Sequence, residues 1–404
     1  MATLKKLDKG LYEVRYMFFD KDGRKHQPKK HFSHLSEAES FKNEVEREVR
    51  DGTYVNPTNT KFSEWIDDWF ASYKVNAELE ATTIAGYSFI IERLKKHFGN
   101  VLLRKITPGD IEFLYVRLRD PAAARERELK LKLEPLTKRP LTSSTVQRHH
   151  AVLSRAFKYA MRDGLIKMNP IERIDRPRSS TQEVIPPDMD QVNAQLIALH
   201  ESPYYLPVVI ALMTGMRQSE VLGLKWQDID LKTGEVVVRR VRQRVGEKYI
   251  QNNPPDGIRV KLVTVGGCKG VIEKERTKSR HIRQMSLPVD LVAVLKAEQK
   301  NQKANKLRFG DKYAASDYVC VHEDGHLIDN SNLSRAVETF RYHDLRHANA
   351  SFQIQAGVPI TEVSRRLGHT TVTTTTNTYA HAYKTQDKAA AEAINAVVKL
   401  EPKT

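Results

Sequence analysis

The residues best suited to chemistry lie in the C-terminal half of the 404-residue chain. Met213-Thr-Gly-Met-Arg217-Gln-Ser-Glu220 puts an arginine just past a glycine break, at the expected start of a helix carrying Val221, Leu222, Leu224 and Trp226. An arginine there can offer its planar fork to an oxyanion while nearby backbone N–H groups add positive potential. Tyr342-His343-Asp344-Leu345-Arg346-His347 supplies a histidine and an arginine three residues apart, on one face if the segment is helical. Leu367-Gly-His369 is followed ten residues later by Tyr379-Ala-His381. Taken singly, each has a plain structural explanation: a surface salt bridge, a helix cap or a core tyrosine.

Two other motifs point elsewhere and fail on geometry. His322-Glu-Asp-Gly-His326 matches H-E-x-x-H, a zinc-hydrolase signature whose chemistry needs both histidines one turn apart on a helix. Tyr318-Val-Cys-Val reads as a strand and Asp324-Gly325 as its turn, which removes that spacing. Gly266-Gly-Cys-Lys-Gly270 lacks the Walker pattern and reads as a flexible loop rather than a phosphate cradle. No metal and no other cofactor is expected.

The elements that must position these groups form a mixed pattern. Helices are predicted near 190–200 and 204–213, a strand over Glu235-Val-Val-Val-Arg-Arg-Val, an irregular region over 243–270, and helices again from 331 onward. Upstream, apolar and polar residues alternate from Gly10 to Phe32 around an Asp22-Gly23 turn, and a helix runs from Ser33 to about Arg50, ended by Asp51-Gly52 and Pro57. Four helices follow. Ser63 caps one carrying Trp65, Ile66, Trp69, Phe70 and Tyr73, and Thr82-Thr83 precede one carrying Ile84, Tyr87, Ile91, Leu94 and Phe98. Thr107-Pro108 opens a third, and a basic connection over 125–139 leads to the fourth, from Ser143 to about Arg162. A Pro- and Ser-rich stretch over 173–187 reads as a linker. No internal repeat is apparent.

Composition narrows the class. A chain of this length exceeds one compact core and implies two or three domains. Its 66 Lys+Arg against 50 Asp+Glu leave a net charge of +16, which calls for a polyanionic partner. Nine basic residues against four acids in positions 1–33 make the first sheet a basic surface. Two cysteines exclude a disulfide scaffold and Cys-rich zinc modules. The longest mostly apolar run, Tyr204 to Met213, is half of a membrane span, and the start shows no signal-peptide core, so an intracellular protein with no membrane partner is expected.

In this order the motifs resemble the tyrosine recombinase (phage integrase) family, and in layout the integrases of conjugative transposons. The match is carried by T-G-x-R-x-S-E at 214–220 with L-x-W-x-D-I at 224–229, H-x-L-R-H at 343–347, and L-G-H at 367–369 followed by T-T-x-x-x-Y at 374–379. The resemblance implies a multidomain α+β chain. It would have an arm-site DNA-binding domain over 1–58 made of a three-stranded sheet plus a helix, then a helical core-site-binding bundle over 59–175. A linker over 176–187 would lead to a mainly helical catalytic domain with a small antiparallel sheet over 188–386. A tail helix over 387–404 would dock on a neighbouring protomer or on its own domain.

Carried onto this chain, the resemblance makes Tyr379 the nucleophile, Arg217 and Arg346 the clamp on the scissile phosphate, and His343 and His369 further contacts or proton carriers. The general acid would be a lysine on a β-hairpin within Val271–Pro288, Lys278 or in reserve Lys274. Glu220 would support the clamp, or serve only as a first-turn carboxylate, and Lys225 is read as noncatalytic. The chemistry is consistent: two guanidiniums stabilise a phosphodiester transition state without a metal, and a phenol of pKa near ~10 needs a proton acceptor to attack at neutral pH. Energy stored in a 3′-phosphotyrosine makes rejoining independent of ATP.

The implied partners are double-stranded DNA at core and arm sites, a homotetramer on that DNA, and accessory excision and DNA-bending proteins. The implied setting is the bacterial cytoplasm, with nucleoid association when bound. Thr83 and Arg148 on the second and fourth helices of the bundle, and Lys25 and Lys29 in the arm sheet, are the expected DNA contacts. Two rival readings are a type IB topoisomerase and a noncatalytic DNA-binding regulator.

Overall fold

The computed structural model describes the chain except residues 1, 8–9, 20–23, 52–53, 55–58, 78, 179–185, 248–249, 251–259, 268, 276–281 and 384–404. The Asp22-Gly23 turn, Gly52, Pro57, much of the linker, Cys268, Lys278 and the 387–404 tail helix therefore lie outside the described residues. The chain divides into two compact units, Met1–Thr181 and Gln182–Thr404.

In the first unit, strands β1 (Thr3–Lys6), β2 (Tyr12–Arg15) and β5 (Lys29–Phe32) form an antiparallel sheet in the order β1-β2-β5. A short ribbon pairs β3 (Phe18–Phe19) with β4 (Lys25–His26). Alternation turns Val14 and Tyr16 inward, where they meet Ala38 and Val45 of helix α1 (Leu35–Arg50). The opposite face carries Arg15, Lys29 and His31 around a buried Glu13, whose carboxyl the Arg15 hydrogen bond holds below its ordinary range.

A second core joins α2 (Phe62–Asn76), α3 (Ala81–Phe98), α4 (Pro108–Arg119) and α6 (Ser143–Arg162), and α5 (Pro121–Lys130) packs against α4. Trp65, Trp69 and Tyr73 follow the helical period and stack successively along α2. Truncating one buried tryptophan of this stack to alanine costs about 3–5 kcal/mol. Thr107 caps α4 through a capping box with Asp110, as Thr107-Pro108 predicts.

Two helix starts differ from expectation: α2 begins after Lys61 and α3 after Glu80, so Ser63, Thr82 and Thr83 sit within first turns rather than capping them. The basic connection over 125–139 is also partly helical. Asp120 caps α5, Pro121 opens it, and its Glu128 pairs with the fully buried Arg117 of α4 at 2.7 Å. Arg117 also reaches His97 Nδ1 at 2.7 Å, which needs a neutral imidazole. Burial supplies one by lowering the His97 pKa to about 4.

The second unit packs α7 (Met189–Leu199) and α8 (Tyr205–Thr214) with the four-residue α9 (Gln218–Val221), which is shorter than the predicted helix through Trp226. Two three-stranded antiparallel sheets follow. One, in the order β11-β7-β6, uses β6 (Ile229–Asp230), β7 (Glu235–Val238) and β11 (Arg283–Ser286). The other, in the order β8-β10-β9, uses β8 (Val241–Arg244), β9 (Val260–Leu262) and β10 (Val271–Lys274). The single strand predicted over 235–241 is thus broken at Arg239-Arg240, both of which are held by the buried Asp228.

The remaining helices are α10 (Val289–Phe309), α11 (Asn330–Ala336), α12 (Asp344–Gln355), α13 (Ile360–Leu367) and α14 (Val372–Tyr383). Tyr318 and Val321 make isolated bridges rather than a strand, and His322 and His326 face each other across a tight turn at Gly325. The H-E-x-x-H histidines are therefore not on a helix, and no group of three metal-ligating side chains occurs among the described residues. None of the described helices is long and apolar enough to cross a membrane.

Candidate active site

The site is built around backbone carbonyls that hold arginines. Helix α8 ends at Gly215 in the left-handed conformation (φ 67°), where a Cβ would lie 2.6 Å from Asn349 Oδ1 and 2.7 Å from Leu367 Cδ2. Glycine is required there for both conformation and space. The Gly215 carbonyl accepts from Arg346 Nη1 at 2.6 Å, and the Leu367 carbonyl accepts from Arg346 Nη2 at 2.7 Å. Arg346, only 3% exposed, thereby joins the loop before Arg217 to the loop before His369. Burial first, and then Arg217, push the Arg346 pKa down, yet a guanidinium donating to two carbonyls stays charged at neutral pH.

Arg217 heads α9 and points its side chain back along the same loops. Its backbone N–H donates to Glu220 Oε2 at 2.9 Å, Nη1 donates to Glu220 Oε1 at 3.1 Å, and Nη2 approaches the Gly368 carbonyl at 3.5 Å. Glu220 is shared with a residue that sequence reasoning missed. Arg283 of β11 places Nη1 and Nη2 on the two Glu220 oxygens at 3.1 and 2.7 Å, and its Nε donates to the Arg366 carbonyl at 2.9 Å. Burial alone would raise the Glu220 pKa, but the Arg283 bonds and the Arg217 charge prevail and hold it at about 2. The signal for Arg283 was a period-two pattern that places it on the buried face of β11 beside Met285.

Helices α12 and α14 bring the histidines to the tyrosine. Tyr379 is 1% exposed, among Ala350, Ile354, Val363 and Leu367, at a point where α14 departs from helical geometry (φ −115°, ψ 20°). Its hydroxyl lies 2.9 Å from Nδ1 of His347, the second residue that sequence reasoning passed over, although it stands inside the H-x-L-R-H motif. His343, exposed at the start of α12, sits edge-on to His347 with ring centroids 5.2 Å apart. His369 Nδ1 is 2.7 Å from Oγ1 of the buried Thr375, one turn before Tyr379 on α14.

Burial and then neighbouring cations set the protonation states. The His347 and His369 pKa values both fall to about 4, and that of His343 also falls. Burial raises Tyr379 to about 12 against the opposing pull of Arg346 and Arg217. At neutral pH the cluster thus holds cationic arginines, neutral imidazoles and a protonated phenol. That set can neutralise an anion and move protons around it.

Of the other expected residues, Lys278 lies outside the described residues. Lys274 ends β10, which pairs with β8 and β9 rather than with β11, so the Val271–Pro288 stretch contributes strands to two different sheets. Lys225 pairs with the buried Glu273 at 2.9 Å and with Asp317 at 3.4 Å. In the first unit Thr83 and Arg148 are exposed on α3 and α6, and Lys25 and Lys29 are exposed on β4 and β5, with Lys29 Nζ 3.9 Å from Glu13.

Comparison with known proteins places the chain in a family. A model of the phage integrase family matches residues 188–386, and one of the phage integrase N-terminal SAM-like domain matches residues 61–118. A XerC-like tyrosine recombinase of Caldanaerobacter subterraneus subsp. tengcongensis is 30% identical over 278 residues, 63% of this chain and 66% of that protein. The ICEBs1 integrase of Bacillus subtilis is 22% identical over 406 residues, 97% of this chain and 99% of that one.

Among solved structures, the Tn1549 transposon integrase in complex with a circular intermediate DNA matches with a TM-score of 0.59 at 17% identity, over 83% of this chain and 99% of that one. A lambda integrase tetramer bound to a Holliday junction matches with a TM-score of 0.52 at 16% identity, over 92% and 96%. These likenesses show a shared fold. Because the two family matches together span more than half of the chain and enclose the arginine–histidine–tyrosine cluster, the chain belongs to the phage integrase family of tyrosine recombinases.

Proposed function

We propose that the chain is a site-specific recombinase that integrates and excises a mobile DNA element, cutting and rejoining strands through a 3′-phosphotyrosine at Tyr379. The observation that carries this reading is the convergence of Arg217 and Arg346 on the Gly215, Leu367 and Gly368 carbonyls beside His369, which meets Thr375 of α14, with Tyr379 of the same helix hydrogen-bonded to His347 next to Arg346. Arg217 and Arg346 form the clamp on the scissile phosphate, with Glu220 positioning Arg217. His343 and His369 contact the phosphate oxygens or carry protons. The 5′-oxygen leaves with a proton from Lys278 or Lys274. Fixed guanidiniums supply the main electrostatic stabilisation, because they face the developing charge without reorganising.

The same reading assigns the remaining parts. Residues 1–58 bind arm sites, 59–175 bind core sites, 176–187 link them to a catalytic domain over 188–386, and 387–404 form a protomer-contact helix. Lys25, Lys29, Thr83 and Arg148 lie on the DNA-facing sides. The chain acts in the cytoplasm as a homotetramer on two duplexes, a stoichiometry supported by the lambda integrase tetramer on a Holliday junction, with accessory excision and DNA-bending proteins.

A strand-exchange assay separates this reading from its rivals. The expected result is recombination between two duplexes carrying the junction sequences of the element that encodes the chain. Relaxation of supercoils without site preference would instead indicate a type IB topoisomerase. Salt-dependent binding with no covalent adduct would indicate a regulator.

A further inference from the structure

The mechanism leaves one group at the nucleophile without a task. His347 lies in α12 beside Arg346, half-buried, with Nδ1 2.9 Å from the Tyr379 hydroxyl and the two rings 5.5 Å apart. The other two histidines are placed differently: His369 Nδ1 is engaged by Thr375, and His343 lies one helical turn from His347 at the exposed end of α12. A phenol must lose its proton as it attacks, and an acceptor has to be within hydrogen-bond reach of that proton. We propose that His347 is the catalytic proton acceptor for Tyr379.

The proposal rests on Tyr379 being the nucleophile and assigns the proton in that same step. As the Tyr379 oxygen forms its bond to phosphorus, its O–H bond breaks and the proton passes to His347 Nδ1. The P–O5′ bond breaks, and the 5′-oxygen takes a proton from the general acid or from water. On rejoining, the 5′-hydroxyl attacks phosphorus and gives its proton to the deprotonated general acid or to water, the P–O bond to Tyr379 breaks, and His347 returns its proton to the departing phenolate.

The surroundings make this acceptor respond to substrate. After burial, the nearby His343, Arg346 and Arg341 lower its basicity, with Asp344 opposing them, while Tyr379 faces it from α14 and His369 lies within electrostatic reach. A phosphodiester anion held by Arg217 and Arg346 offsets the guanidinium charge around it, so His347 becomes a better base when DNA is in place. Without DNA, Tyr379 stays neutral and hydrogen-bonded.

The test measures single-turnover adduct formation by the full chain on a nicked duplex made from the end-to-end junction of the encoding element. His347→Ala and His347→Asn are compared, each with tyrosine or 2,3-difluorotyrosine at position 379. Asparagine keeps a hydrogen-bond acceptor of similar size without the basicity, which guards against a folding defect in the alanine variant.

Both variants are expected to form the adduct about a hundredfold or more slowly than wild type, as loss of a general base predicts. The more acidic difluorophenol is expected to recover at least tenfold of that loss. Rates within threefold of wild type, recovery by His347→Asn alone, or a defect that difluorotyrosine does not relieve would each overturn the proposal. An adduct persisting in Tyr379→Phe is a separate result, overturning the nucleophile assignment itself and this proposal with it.

Discussion

Arg283 closes a bidentate pair on Glu220, at 3.1 and 2.7 Å, although the two residues are 63 positions apart and both are buried. Glu220 is also the carboxylate that Arg217 Nη1 uses at 3.1 Å, so Arg283 and Arg217 share its charge and the pair fixes the position of the Arg217 fork. Removing one partner of such a pair strands a buried charge and costs about 3–5 kcal/mol. Arg283→Ala is therefore expected to lower the melting temperature of the second unit and slow adduct formation. Arg283→Lys should recover part of the stability and less of the rate, because an ammonium cannot reproduce the fork. Calorimetry and single-turnover cleavage check both.

The same pair predicts acid sensitivity of a definite sign. The folded Glu220 pKa of about 2 lies below its ordinary value of 4.5. Its contribution is therefore fully present above the unfolded value and is lost as pH falls from about 4.5 toward 2. The contribution is about 3 kcal/mol. Glu220→Gln should remove this dependence, so urea unfolding of wild type and variant, followed by hydrogen exchange of α8 and α12, should converge as the pH is lowered through that window.

Gly215 offers a backbone test of how the clamp is assembled. Gly215→Ala adds a methyl in a left-handed position against Asn349 and Leu367, and it displaces the carbonyl that holds Arg346. A penalty of about 1–3 kcal/mol for the conformation alone is expected. Because Asn349 and Leu367 must also move, cleavage should fall further than stability. A variant that melts lower yet cleaves at the wild-type rate would contradict this coupling.

How much of this could be read before folding depends on the range of the interactions. Arg217, His343, Arg346, His369 and Tyr379 were legible because they sit in short motifs, and the small sheet, α4 and α6 were legible from local periodicity and capping. Arg283 and His347 were not singled out, because their partners lie 63 and 32 positions away and nothing local marks such contacts. Helix α10 escaped notice because its polar Lys296–Arg308 stretch leaves only Leu291 and Leu295 buried, too few to show a period. Helix α5 was hidden in the same way, since the Arg117–Glu128 pair that anchors it looks like surface charge in a basic run.

That buried pair yields a prediction for the first unit. Glu128→Ala leaves Arg117 uncompensated against a neutral His97, at a cost of about 3–5 kcal/mol. Urea unfolding of the first unit should shift by that amount while the second unit is unaffected. Replacing Arg117 and Glu128 together with leucine and methionine should cost far less than either single change.

The central claim, that Tyr379 attacks the scissile phosphate, is tested most directly by trapping the covalent complex on a nicked duplex and sequencing the DNA-linked peptide. The account predicts a single peptide modified at Tyr379 and no adduct in Tyr379→Phe. Attachment at any other residue, or an undiminished adduct in that variant, would contradict it.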